Sequence, residues 1–167
     1  MKHQLTSAVF TKYRFWAGCM VVMTLFCCPF AVEAQFLTDD FEGNGNIGSW
    51  FGDDCGLNTA FANPHPQGIN TSATVLRYHD QGGQYANVRF DVPTNFDLST
   101  QQTFSFKIYV PSSGLTGTAP NQVSLKLQNG ISGTPWSTQS EIIKPLVLNQ
   151  WQTVTFDFAN DPYINLD

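Results

Sequence analysis

The sequence predicts an all-β chain of the β-sandwich or jelly-roll class, and three observations carry that expectation. Apolar residues fall on every second position in several short runs, the period of a half-buried strand and not of a helix. Clusters of Gly, Pro, Asn and Asp separate the runs. Each run has one apolar and one polar side, so a facing sheet must cover the apolar side.

The elements follow in order. Leu37 to Phe41 reads as a weak opening strand and Thr74 to Tyr78 as a second weak one. Gln84 to Val92 carries Ala86, Val88, Phe90 and Val92 on one side, with Tyr85, Asn87, Arg89 and Asp91 on the other. Thr103 to Val110 turns Phe104, Phe106, Ile108 and Val110 inward and leaves Ser105, Lys107 and Tyr109 outside. Gln122 to Gln128 buries Val123, Leu125 and Leu127 and exposes Ser124, Lys126 and Gln128. Ser140 to Ile143 is weak, whereas Thr153 to Phe158 alternates cleanly, with Val154, Phe156 and Phe158 inward. Turns are expected at Asp80-Gln81-Gly82-Gly83, at Pro93-Thr94-Asn95, at Pro111-Ser112-Ser113-Gly114 and at Asn129-Gly130.

Both ends carry expectations of their own. Lys2, Lys12 and Arg14 precede an uncharged stretch from Phe15 to Val32, which Pro29 interrupts well short of the roughly 20 residues that cross a bilayer. Residues 1–34 therefore read as a signal peptide cleaved after Ala34, and residues 35–167 as one domain without a transmembrane span, secreted or held at the cell surface. A lipid on Cys19, Cys27 or Cys28 is the rival reading; Phe26 before Cys27 and Arg14-Phe15-Trp16 before Cys19 suit it poorly. At the other end no further strand follows through Asp161-Pro162-Tyr163-Ile164-Asn165-Leu166-Asp167. The sandwich is thus expected to lack its closing strand and to be the front of a longer gene product, with an open edge beside Leu37 to Phe41.

Charge and cysteine content remove several function classes. Beyond the signal, Arg77, Arg89, Lys107, Lys126 and Lys144 face twelve acidic residues, a balance that repels phosphate backbones and argues against nucleic acid as a partner. Cys55 is the one cysteine left, so no internal disulfide forms, and without a neighbouring base it reads as a small packed thiol. His65 and His79 have no Cys or His at ligand spacing, which disfavours zinc. Beyond the signal only Glu42 and Glu141 represent glutamate; Glu42 falls in the opening strand and Glu141 has no acidic partner in sequence, which disfavours glycoside hydrolysis, and no nucleophile-elbow or phosphate-loop pattern occurs.

Asp39-Asp40-Phe41-Glu42-Gly43 followed by Trp50, with the late run Leu148-Asn149-Gln150-Trp151-Gln152-Thr153-Val154-Thr155-Phe156-Asp157-Phe158, resembles carbohydrate-binding modules with a galactose-binding-like jelly roll. Gly68-Ile69-Asn70-Thr71-Ser72 and the run Gly82 to Asp91 are similar to exported proteins of glycan-degrading Bacteroidetes. The resemblance implies a non-catalytic module that holds a polysaccharide or oligosaccharide near a partner hydrolase. It also implies a structural calcium at the opening strand, with Asp40 and Glu42 as ligands. Two other readings stay open: the front of a secreted endo-β-glucanase-like hydrolase whose catalytic domain lies beyond residue 167, and a structural or adhesion sandwich.

The residues themselves supply candidate sites. A sugar ring packs its C–H face on an aromatic side chain while its hydroxyls seek amides and charged groups, and the outward set Tyr85, Asn87, Arg89, Lys107, Tyr109, Lys126 and Gln128 offers that mixture. If their strands are neighbours they make one binding face; otherwise they are a solvated exterior. Trp136, in the loop Gly133-Thr134-Pro135-Trp136-Ser137, joins them as an exposed platform. Trp151 reads as core or edge packing, and Trp50 either lines a loop or plugs the end of the sandwich. Asp39, Asp40, Glu42, Asp53 and Asp54 form an oxygen-rich group that suits calcium if it is not simply a solvated acidic surface.

Overall fold

The long alternating runs become strands that pair antiparallel throughout. The computed structural model describes residues 36–115, 117–118 and 120–166, so the expected signal peptide and its cysteines lie outside the described residues. In order come β1 (Phe51–Asp53), β2 (Cys55–Ala62), β3 (Thr74–Asp80), β4 (Asn87–Arg89), β5 (Thr103–Tyr109), β6 (Gln122–Leu127), β7 (Ser140–Pro145), β8 (Trp151–Asp157) and β9 (Ile164–Asn165). Helical turns are limited, among the described residues, to short 3-10 segments at Ser112–Gly114 and Pro135–Thr138. The fold is all-β and sandwich-like, built from four antiparallel sheets: β1–β4, β2–β3, β5–β8 and β6–β7–β9.

Two of these sheets enclose the core. In β5–β8, Phe104 opposes Phe156 and Phe106 opposes Val154; in β6–β7, Leu125 opposes Ile142 and Val123 opposes Lys144. Opposed residues share a face, so each ladder presents an apolar side, and the two sides meet. Phe156 and Ile142 are almost fully buried at the contact, with Val154 and Phe158 beside them. Phe104, Phe106, Ile108, Val123, Leu125, Leu127 and Leu146 pack around that nucleus. Phe106 stacks on Phe156 at 5.4 Å, and Phe104 meets Phe158 edge-on at 5.9 Å. Ile142 and Leu146 apart, these are the inward positions that the alternation predicts.

Turns lock the ladders at their ends. Asn149 takes the left-handed conformation (φ 61°), which Asn tolerates better than most residues. From there its N–H donates to the Val110 carbonyl at 2.8 Å, and its Oδ1 accepts from the Ser112 N–H at 2.8 Å. Past β8, Asp161 Oδ2 accepts from the Asp157 N–H at 2.9 Å while Lys144 Nζ donates to Asp161 Oδ1 at 2.6 Å. The hydrogen bond from Lys144, then that from the Asp157 N–H, hold the Asp161 carboxyl below its ordinary range.

The opening segment departs from expectation. No strand forms over Leu37 to Phe41. Asp39 Oδ1 accepts from the Phe41 N–H at 2.8 Å, and Asp40 Oδ1 from the Glu42 N–H at 3.0 Å. These local turns compete with any ladder, and Phe41 sits at φ 63°, outside the strand region. Trp50 plugs this region: its Nε1 donates to Asp39 Oδ2 at 2.8 Å, and its ring lies 5.5 Å from Phe41 and 5.0 Å from Phe90. Gln84 to Val92 shortens to the three residues of β4. Conversely β1, β2 and the two-residue β9 form where no strand was read; β9 pairs with β7 and not with the opening segment.

Replacing Phe156 by Ala should lower unfolding stability by about 3–5 kcal/mol in urea titration, since the cavity would open at the sheet-to-sheet contact. The depressed Asp161 carboxyl contributes stability above the unfolded carboxylate value and loses it as pH falls through the lower folded value. Asp161→Asn should therefore lower the melting temperature at pH 7, and the difference from wild type should shrink below roughly pH 4.

Candidate functional site on the outer face of the β6–β7–β9 sheet

With the inner faces of the two core sheets occupied by each other, their outer faces are left for ligands. On β6–β7 the register sets Lys126 opposite Glu141 and Ser124 opposite Ile143, and β9 adds Ile164 opposite Glu141. Lys126 Nζ stands 3.6 Å from Glu141 Oε1. One step along, Gln128 Nε2 donates to Gln139 Oε1 at 3.1 Å, and Gln139 Nε2 donates to Glu141 Oε2 at 3.2 Å. Lys126, Glu141, Gln139 and Gln128 thus form a continuous polar row. Each amide keeps hydrogen-bonding capacity beyond these contacts, because a primary amide has two donors and a carbonyl acceptor.

Apolar and aromatic surface borders that row at Glu141. Glu141, Ile143, Pro162, Tyr163 and Ile164 line a shallow groove of about 320 Å³. Tyr163 is 48% exposed although one side of its ring packs 5.7 Å from Phe158. At the far end, the connection from β6 to β7 carries Trp136, 64% exposed. Thr138 Oγ1 accepts from the Asn129 N–H at 3.0 Å and donates to the Pro135 carbonyl at 2.8 Å, which braces the turn that holds Trp136.

Of the sequence-predicted ligand residues, Lys126 and Gln128 share this row, and Trp136 lies in the connection that follows it. The others lie elsewhere, because β4, β5 and β6 belong to three different sheets and the condition that they be neighbours is not met. Lys107 is on the outer face of β5–β8, opposite Thr153, and that face and the Lys126 face look away from the shared core in opposite directions. Tyr109 lies on the same side as Lys107, but His65 stacks on its ring at 4.2 Å and Trp151 lies 5.7 Å away. Trp151 Nε1 donates to the His65 carbonyl at 2.7 Å, so this cluster ties the loop before β3 to the edge of the sheet, the packing role expected of Trp151. Arg89 pairs with Asp53 and lies 5.5 Å over the Phe51 ring. Asn87 Nδ2 donates to the Tyr85 carbonyl at 2.8 Å, while the Tyr85 side chain is 71% exposed.

Gln139, Glu141, Tyr163 and Ile164 were missing from the sequence-derived set. The β6–β7 register sets Lys126 opposite Glu141, but the connection between the strands runs from Asn129 to Thr138, too long for that register to be counted from the turn at Asn129-Gly130. Tyr163 and Ile164 join the face only because β9 pairs with β7, and a two-residue strand leaves no alternation to read.

The acidic opening segment makes a second feature. Glu42 Oε1 accepts from the Thr74 N–H at 2.7 Å and lies 3.2 Å from Thr74 Oγ1, which donates to the Phe41 carbonyl. Asp40 instead serves its own turn, its Oδ2 accepting from Asn44 Nδ2 at 3.2 Å. Among the described residues no group of three or more His, Cys, Asp or Glu side chains converges. The oxygens of Glu42, Thr74 and the Phe41 carbonyl are of the kind a hard cation takes, with Glu42 as the one carboxylate. Burial pushes the Cys55 thiol up, with Asp53, Asp80 and Asp54 adding to it, and its Sγ donates to the Asn87 carbonyl at 3.3 Å. Such a thiol stays protonated and is a poor nucleophile.

No helix among the described residues is long and apolar enough to cross a membrane. Compared with family models, with curated proteins and with solved structures, the chain has no match in any of the three comparisons.

Proposed function

We propose that the chain is an exported, non-catalytic carbohydrate-binding module that takes a neutral glycan on the outer face of β6–β7–β9. The observation that carries this reading is the polar row Lys126, Glu141, Gln139 and Gln128, with exposed Tyr163 in the groove at Glu141 and exposed Trp136 in the connection that follows Gln128. Sugar recognition needs that combination: an aromatic surface for the C–H face of the ring and amides for its hydroxyls. Glu141 is engaged by Lys126 and Gln139, which favours a hydrogen-bonding part over a proton-transferring one. Holding a polysaccharide beside a hydrolase raises the effective concentration of substrate without adding chemistry.

Affinity electrophoresis of the purified chain in gels containing β-glucan, xylan or galactomannan should show retardation by at least one. Trp136→Ala and Gln139→Ala should each weaken it roughly threefold to tenfold, with the melting temperature unchanged. Equal retardation of wild type and both variants would reject this face as the site. Release of reducing ends by the purified chain would reject the non-catalytic reading.

Structural calcium at the opening segment belongs to the same proposal, with Glu42 as carboxylate ligand, the Phe41 carbonyl and Thr74 Oγ1 beside it, and Asp40 adjacent. Calcium then links that segment to the start of β3. Adding calcium to chelator-treated protein should raise the melting temperature, and Glu42→Gln should abolish the rise; a melt indifferent to calcium would exclude the ion.

A further inference from the structure

The β2–β3 hairpin carries a hollow of about 180 Å³ lined by Gly56, Leu57, Asn58, Arg77 and His79. The register places Gly56 opposite His79 and Asn58 opposite Arg77, so these four residues share one face of the hairpin. Gly56 leaves the floor open: a Cβ there would come within 3.3 Å of Gln81 Nε2, which marks the Gln81 amide as part of the rim. Asn58 uses its Oδ1 to accept from the Ala60 N–H at 2.9 Å, and its Nδ2 donates to none of the described residues. The hollow is therefore lined by donors: a guanidinium, an imidazole and two amides.

Arg77 is the unusual member. Arg89, Lys126 and Lys144 each have a carboxylate partner, but among the described residues Arg77 and Lys107 have none, although the domain holds many more acids than cations. The neighbouring Asp80 opposes Cys55, on the other face of the hairpin, and accepts from the Gly82 N–H at 2.7 Å. What positions Arg77 is the Phe61 ring, with its guanidinium carbon 5.0 Å from the ring centroid. An aromatic ring orients a guanidinium without neutralising it and leaves its fork of N–H donors for an oxyanion.

We propose that this hollow is a subsite for an oxyanion carried on a sugar, a uronate carboxylate or a sulfate ester, held by Arg77 with His79, Asn58 and Gln81 alongside. Its volume suits one such group. The inference rests on the carbohydrate reading for the carrier of the charge, but on a different sheet and different residues from the neutral face.

The test is affinity electrophoresis of the full chain, Arg77→Gln, Arg77→Lys and Trp136→Ala at low ionic strength, each measured against a glycan-free gel. The gels contain neutral β-glucan, a polyuronate or a sulfated galactan, the last two separating the carboxylate from the sulfate. An acidic glycan should retard the wild type, Arg77→Gln should weaken that retardation about tenfold, and Arg77→Lys should restore it only in part, because an ammonium lacks the two-pronged geometry. Retardation by neutral glycan should be the same in wild type and Arg77→Gln. Equal retardation of wild type and Arg77→Gln by acidic glycans overturns the subsite. So does binding of neutral glycan alone, which leaves the neutral face standing. Binding of acidic glycan alone, through Arg77 and indifferent to Trp136→Ala, supports the subsite and rejects the neutral face.

Discussion

The structure depends on one constraint: the apolar sides of β5–β8 and β6–β7 are covered chiefly by each other. Phe156 and Ile142 lie where the two sides meet, and burying side chains of that size is worth about 1.5–3 kcal/mol each. Once that contact is made, the outer faces are left to solvent or ligand, save where His65 packs on Tyr109 and Trp151 at the edge of β5–β8. The polar row on β6–β7–β9 and the Lys107 face of β5–β8 are therefore the two sides of one object, and a ligand that spans both is excluded by the thickness of the core.

The remaining polar chemistry is largely local. Asp39, Asp40, Asp97 and Asp157 each accept from a backbone N–H two residues ahead, which spends acidic side chains on turns; of the four, Asp39 also reaches further along the chain, to Trp50. In Asp97 the hydroxyl and then the N–H of Ser99 depress the carboxyl, and in Asp157 the Asn160 amide and then the Ala159 N–H do so. An acidic composition is thereby converted into fixed loop geometry. The long-range ties draw on several residue types: Trp151 to the His65 carbonyl, Asn149 to Ser112, Glu42 to Thr74, Arg89 to Asp53 and Lys144 to Asp161.

How much of this was legible depended on whether a strand alternates by itself. β5, β6 and β8 do, and their inward residues Phe104, Leu125, Val154 and Phe156 could be named from the sequence. β1 and β2 are rich in Gly, Asp and Asn, residues that read as turns; partner strands impose their extended form, and tertiary pairing overrides local preference. The opening segment failed in the opposite sense, since Asp39 and Asp40 fold it into turns. For the site, the types of residue were readable but not their neighbours. Lys126 and Gln128 were seen on one strand, whereas Gln139, Glu141 and Tyr163 needed the hairpin register and the pairing of β9. Arg77 and His79 did not stand out as a pair until the register set Asn58 and Gly56 opposite them.

The register of β2 with β3 shifts between Asn58 and Phe61, where three steps along one strand answer two along the other. Even-numbered residues of β2 face the hollow before that point, and odd-numbered Phe61 does so after it. The irregularity acts as a slack link: the two halves of the hairpin are each in phase with β3 but not with one another, and chain length at Thr59-Ala60 is uncoupled from the side that either half presents. Removing one residue there would straighten the strand and reduce its coil while leaving Arg77 above its ring, so a gap in a related sequence at this position is compatible with an unchanged surface.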